Sequence, residues 1–377
     1  MSSGASFGPT PAPCSGVSAH PLTPWDHAWS LLKEAVRLTT SMDENIVLLG
    51  HGSGGGLSHE LIEGLFVRHF GNPLLLPLED ASVFALPQGR IAFTTDSYVV
   101  KPLFFPGGDI GRLSVCGTVN DLSVRGAQPL YLSAGFIIEE GFLLSDLKRI
   151  VASMASTAAE AGVSIVCGDT KVVERHAADG LYINTAGVGI VAEGVSVSVR
   201  NARPGDAVIV SGTLGDHGVT VLSQRQSLHF RSPLRSDVAP LNSLARSILD
   251  ATRSVHAMRD PTRGGLATTL KEIAAGSSVG IDIEEERIPV SDAVRGACDM
   301  LGLDYLYLAN EGKLVTMVPD SDAPSVLEAM RANVLGRDAA IIGHVTGDHP
   351  GMVFIRNAFG TRRILEMLAS DQFPRIC

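Results

Sequence analysis

A chain of 377 residues, 45% of them apolar, has material for two cores on the usual scale of roughly 100–200 residues per domain, which excludes a disordered protein. Forty acidic against thirty basic residues leave a formal charge of −10 with no dense basic cluster, which argues against nucleic acid and anionic membrane surfaces as partners. No stretch approaches the ~20 apolar residues of a membrane span, and Cys14, Cys116, Cys167, Cys298 and Cys377 show neither CxxC nor zinc-ligand spacing, so a reduced, cytoplasmic chain is expected.

Residues 1–43 read as an extension. Its first part is rich in Ser, Gly and Pro, and Pro9, Pro11, Pro13, Pro21 and Pro24 interrupt what would have to be the apolar run of an export signal. Trp25, Ala28, Trp29, Leu32, Val36 and Leu38 then recur at helical spacing, predicting an amphipathic helix over Trp25–Thr40. Residues 44–203 alternate strand-like and helix-like segments and predict an α/β domain. Its strands are Ile46–Leu49, Arg90–Thr94, Leu130–Ile138, Ser164–Cys167 and Leu181–Val191; its helices lie near Ser58–Phe70, Gly111–Arg125 and Ser145–Ala161. Pro204-Gly205 favours a turn and marks the boundary. Residues 204–368 repeat the mixture, with strands at Ala207–Ser211, Ser254–Ala257, Gly280–Ile283, Lys313–Val318 and Ala340–Val345. Helices are expected near Asp216–Ser223, Leu241–Ala251, Gly264–Ala275, Pro289–Leu301 and Ala323–Asn333, with a last helix or turn near Arg362–Leu368. Residues 369–377 read as a mobile tail.

Gly50-His51-Gly52-Ser53-Gly54-Gly55-Gly56 falls between a strand and a helix. Successive N–H groups without Cβ atoms, backed by a helix start, make a phosphate cradle, although a flexible turn explains the same residues and neither Walker A nor GxGxxG is matched. Asp80, Asp96, Asp121 and Asp260 are read at turn or loop positions, where each serves as a cap or as one of the hard oxygen ligands that magnesium takes alongside nucleotide phosphates. Gly168-Asp169-Thr170-Lys171 is placed at the tip of an apolar strand, a common ligand position in α/β folds. There Lys171 neutralises phosphate or, if desolvated, acts as a base; a solvated loop lysine is the plainer alternative. Asn310-Glu311-Gly312-Lys313 offers a second carboxylate and lysine, or an ordinary turn. The sulfur of Cys377, on the last residue of the tail, is able to carry an acyl-like group as a thioester analogue.

Across Ile46–Cys377 the motifs His-Gly-Ser-Gly-Gly, Thr-Asp-Ser-Tyr-Val-Val, Pro-Leu-Phe-Phe-Pro-Gly-Gly, Gly-Asp-Thr-Lys-Val-Val, Ser-Gly-Thr-Leu-Gly-Asp-His-Gly, Thr-Arg-Gly-Gly, Asn-Glu-Gly-Lys and terminal Pro-Arg-Ile-Cys occur in this order. Together they resemble the HypE family of hydrogenase maturation proteins. The resemblance implies a two-domain fold like that of aminoimidazole ribonucleotide synthetase (PurM-like): an N-terminal α/β domain that binds ATP and forms a homodimer through its sheet, and a C-terminal α+β domain. It implies ATP-dependent dehydration of an S-carboxamide on Cys377 to an S-cyanate, a thiocyanate that supplies cyanide to nickel–iron hydrogenase. By carry-over, Asp80, Asp96, Asp121 and Asp260 become ligands of magnesium or nucleotide, and Ser53, Gly54 and Gly55 close over phosphates. Gly168, Asp169 and Thr170 become nucleotide-binding residues, and Lys171 and Glu311 share proton removal and positioning. The partners implied are the carbamoyltransferase HypF and the iron-carrying HypC–HypD scaffold. Two alternatives stay open: a phosphate-transfer enzyme on the same fold, such as a selenophosphate synthetase or thiamine-monophosphate kinase, and a non-catalytic carrier whose tail shuttles a group made elsewhere.

Overall fold

The computed structural model describes residues 45–226, 234–367 and Ile376. Contacts separate Met1–Asn45 from one compact unit, Ile46–Cys377, to which all described residues except Asn45 belong. The helix expected over Trp25–Thr40 and the tail, Ile376 excepted, lie outside the described residues.

The unit is built on two sheets. In the first, β1 (Arg90–Tyr98), β4 (Ala127–Glu139), β5 (Ser164–Val173) and β6 (Leu181–Val191) run in the order β1-β6-β4-β5, with only β4 and β5 parallel; the short hairpin β2 (Phe104–Phe105) and β3 (Gly108–Asp109) stands beside it. A helical segment α1 (Gly56–Leu61) continues through a π-helical stretch, Ile62–Val67, to a last turn at Arg68–Phe70. Helices α2 (Ile110–Val124) and α3 (Leu144–Ala161) follow. Asp109 caps α2 by accepting from the N–H groups of Gly111 and Arg112, and Gly162, left-handed, ends α3. Apolar side chains of these elements, among them Ile110, Leu113, Leu132, Phe136, Leu147 and Met154, form the first core.

The second sheet has seven strands, β7 (Asp206–Val210), β8 (Ala257–Arg259), β9 (Gly280–Glu284), β10 (Val315–Pro319), β11 (Ala340–Thr346), β12 (Val353–Arg356) and β13 (Arg362–Leu365). Their order is β13-β12-β9-β11-β7-β10-β8, antiparallel except for β12 on β9. Helices α4 (Asp216–Arg225), α5 (Asn242–Ala251), α6 (Gly265–Ser277), α7 (Asp292–Leu301) and α8 (Ala323–Ala332) accompany it. One of its cores contains Leu122, Val124 and Val191 together with Ile209, Leu244 and Met330, so apolar burial welds the two sheets together.

Several expectations are corrected. Ile46 makes one isolated bridge to Leu143 and Leu49–Gly52 is a 3-10 turn, so no strand occupies Ile46–Leu49. β5 does not stop at Cys167: main-chain pairing with β4 carries it through Gly168–Lys171, which needs no apolar side chains. Asp96 lies inside β1 and Asp121 inside α2, not in loops. Arg362–Leu365 is a strand, paired with a strand at Val353–Arg356 that periodicity did not reveal. The strand expected at Ser254–Ala257 starts at Ala257.

Candidate active site

The glycine loop lies against β5. A Cβ on Gly52 would overlap the backbone nitrogen of Val172, so only glycine permits this approach. Ser53 Oγ donates to the Gly50 carbonyl at 3.0 Å, and Ser58 Oγ accepts from Gly54 N–H at 2.9 Å and sits 2.8 Å from the His51 carbonyl, which folds the loop onto the start of α1. Gly54 has φ +79°, and around Gly54 and Gly56 the space is open. Loop, β5 and Asp80 line a cavity of about 400 Å³ whose wall includes His51, Gly54, Gly168, Asp169, Thr170 and Lys171. Phe66, Phe70, Phe136 and Ile165 make its apolar side.

Asp169 and Lys171 are two residues apart on β5, hence on one face. Lys171 Nζ is 2.8 Å from Asp169 Oδ1 with both side chains mostly exposed, and this bond holds the Asp169 carboxyl below its usual range. The desolvation on which a basic role for Lys171 depended is therefore missing here.

A second centre gathers carboxylates that are far apart in sequence. On the inner face of β1, Asp96 follows Thr94 by two residues, and Thr94 Oγ1 donates to Asp121 Oδ2 on α2 at 3.0 Å. Asp260 follows β8 and Glu311 precedes β10; they are 8% and 3% exposed. Burial first, then repulsion from Asp121 and Asp96, pushes Asp260 up to about 7. Burial likewise raises Asp121, reinforced by Asp96, although the Thr94 bond and Arg259 oppose it. Glu311 is raised well above the carboxylate range by burial and by the charges of Asp260, Asp237, Asp96 and Asp121, and its Oε1 has no hydrogen-bond partner. The structure thus brings Asp96, Asp121, Asp260 and Glu311 together, whereas Asp80 stands exposed on the wall of the glycine-loop cavity.

Among the described residues no three His, Cys, Asp or Glu side chains are placed to hold an ion by themselves. Magnesium, however, commonly takes one or two carboxylates and completes its shell with phosphate and water. Mutually repelling, desolvated carboxylates at Asp121 and Asp260, with an orphaned oxygen on nearby Glu311, fit such a cation.

Three supporting residues were given no role by the sequence reading. Asn120 Nδ2 donates to the carbonyls of Ala239 and Glu311, and its Oδ1 accepts from Leu241 N–H, joining α2 to the Glu311 loop. Asp237 accepts from Glu311 N–H at 3.1 Å and from Lys313 Nζ at 3.2 Å. Asn310 ties Gly215 to Pro261. Asn310 belonged to a motif already singled out; Asp237 carried no local signal at all. Cys377 lies outside the described residues, while Ile376 before it is buried.

Residues 78–191 match the AIR synthase related protein N-terminal domain and residues 203–355 the corresponding C-terminal domain. The carbamoyl dehydratase HypE of Cupriavidus necator is 53% identical over 330 residues, 87% of this chain and 94% of that one. A crystal structure of the hydrogenase maturation protein HypE in complex with ATP superposes with a TM-score of 0.85 at 51% identity, covering 88% of this chain and 99% of that one. A HypE–HypF complex gives 0.73 at 52% identity, over 82% and 99%. With both domains matched in order and half its residues shared with relatives along nearly their whole length, the chain belongs to the HypE family of AIR synthase related proteins.

Proposed function

We propose that this protein is an ATP-dependent carbamoyl dehydratase that converts an S-carboxamide on its own Cys377 to an S-cyanate, the cyanide source for nickel–iron hydrogenase. The observation that carries the reading is 53% sequence identity with a carbamoyl dehydratase over 87% of the chain, joined to a buried, unpartnered Glu311 oxygen amid further carboxylates. An amide oxygen is a poor leaving group; transfer of the γ-phosphoryl group to it makes it a good one. That transfer releases ADP; the oxygen then departs as phosphate while the C≡N bond forms, one N–H proton going to a protein base and the other ending on phosphate.

In this scheme the unpartnered Oε1 of buried Glu311, once the carboxyl is ionised, takes an N–H proton, and Lys171, paired with Asp169, orients phosphate. Ser53, Gly54 and Gly55 close over the phosphates with Gly168, Asp169 and Thr170 on the facing wall. Asp121 and Asp260 would hold the magnesium, with Asp96 and Asp80 as further nucleotide or metal contacts. When bound, the cation supplies countercharge to the transferring phosphoryl group.

Residues 44–203 serve as the nucleotide and dimerisation domain, 204–368 as the second domain, and 369–377 as the cargo-bearing tail. Support for the homodimer comes from the outer face of the first sheet: Phe93 is 68% exposed and shares its row with Val188 and Tyr131, and exposed Ile137 lies on the same face. HypF, seen bound to a related HypE, is the carbamoyl donor, and HypC–HypD is the acceptor of cyanide. Free Cys116, Cys167 and Cys298 fit a cytoplasmic setting, and no described helix is long and apolar enough to cross a membrane.

Cys377→Ala tests the assignment. Carbamoyl-dependent ATP turnover should vanish in this variant while ATP still binds; full turnover would return the chain to the class of phosphate-transfer enzymes acting on a free small molecule.

A further inference from the structure

His217 is fully buried in the first turn of α4, and both of its ring nitrogens are engaged. Nδ1 lies 2.8 Å from Ser236 Oγ, and Nε2 lies 3.0 Å from the carbonyl oxygen of Ile376, the residue joined directly to Cys377. A carbonyl only accepts, so Nε2 carries the hydrogen. In the neutral ring Nδ1 is then the acceptor, and the Ser236 hydroxyl must donate to it. Ser236 Oγ in turn accepts from Val238 N–H at 3.1 Å, which leaves its own hydrogen free for the imidazole. Burial lowers the proton affinity of the ring, against the pull of the Asp237 charge and the Ile376 carbonyl. The Phe105 ring meets the imidazole edge-on at 5.5 Å and fixes its plane. Ile376 itself is 6% exposed, in the core that holds Phe105, Val221 and Val238.

The segment that orients this histidine also holds Glu311. Asp237, next to Ser236, accepts from Glu311 N–H, and Ala239 N–H donates to the Glu311 carbonyl at 3.3 Å. One short segment, 236–239, therefore orients the histidine that meets the backbone before Cys377 and also holds the backbone of Glu311.

We infer that His217 is a positioning residue, whose fixed Nε2–H docks the main chain of Ile376 and so registers the cargo-bearing end of the chain against Glu311. The inference deepens the proposed function and rests on it for the nature of the cargo, but the docking contact is independent of that reading. Holding a tethered substrate in one place raises its effective concentration at the reacting group.

The test compares the full-length wild type with His217→Phe, His217→Gln and Ser236→Ala. Two rates are read: iodoacetamide alkylation of Cys377 in the unmodified chain, followed by peptide mass, and single-turnover water loss from the carbamoylated chain with Mg-ATP. His217→Phe keeps ring volume against Phe105 and removes the donor; loss of one neutral hydrogen bond predicts roughly tenfold faster alkylation of Cys377 and roughly tenfold slower dehydration. His217→Gln keeps an N–H and should recover most of both rates, with Ser236→Ala between. Buried Cys116 should stay unlabelled throughout, because only general loosening of the fold would expose it. Wild-type alkylation rates in both His217→Phe and Ser236→Ala, or labelling of Cys116 in step with Cys377 in both, would overturn the inference. A wild-type chain that loses no water would instead refute the proposed function, and the alkylation arm would still decide the docking contact.

Discussion

Asp260 is a buried carboxyl facing the charges of Asp121 and Asp96, and burial followed by that repulsion raises it to about 7. Its folded value lies above the unfolded one, so the folded chain binds the extra proton, and the stability this confers is fully present below the unfolded value. It is lost as pH rises from there to about 7. Asp260→Asn removes the loss: without nucleotide the variant should exceed wild type in thermal stability by about 1–2 kcal/mol near neutral pH and above, with the gap closing toward about pH 4. Mg-ATP should stabilise wild type more than the variant, because only wild type offers the cation a carboxylate. A constant gap across pH would show that Asp260 is not held in this repulsive setting. Sequence pattern singled out Asp260, Asp96, Asp121 and Glu311 by their motifs; what it had no means to give is their electrostatic meeting, which arises from four separate elements converging.

At the scale of elements, close approach of the glycine loop to β5 decides how the cavity is shaped. A methyl on Gly52 would meet the Val172 backbone and side chain, whereas one on Gly56 meets open space. Gly52→Ala should therefore displace the loop and weaken ATP binding by about 1–3 kcal/mol, while Gly56→Ala leaves it nearly unchanged; isothermal titration with Mg-ATP distinguishes them. Equal effects at the two positions would mean that the loop does not rest on β5. Strands with apolar alternation, such as β1, β6 and β9, were legible in the sequence, as were the long helices α2 and α3. The polar end of β5 was not, because Gly168-Asp169-Thr170-Lys171 owes its extension to backbone pairing with β4. β13 was misread for the same reason: of Arg362–Leu365 only Leu365 is buried, and the strand is held by β12, by the Arg362–Asp282 ion pair and by Arg362 stacked 4.0 Å over Phe354.

For the molecule as a whole, two sheets joined by a shared apolar core bring Asp96 and Asp121 from the first half of the chain to Asp260 and Glu311 from the second. Motif order along the chain announced the family and hence this architecture; single residues did not, and the roles of Asn120, Asp237 and His217 became visible only through contacts more than seventy residues apart in most cases. The row of exposed Phe93 with half-buried Val188 and Tyr131 makes a prediction at this scale: Phe93→Glu should convert a dimer to a monomer in sedimentation, and a wild-type chain that sediments as a monomer would remove the sheet face as an interface. Most directly, the chain carbamoylated at Cys377 can be incubated with Mg-ATP and its intact mass followed. Loss of one water with one ADP formed per chain is the expected result; an unchanged mass with ATP bound would make the protein a carrier and contradict the chemistry assigned to it.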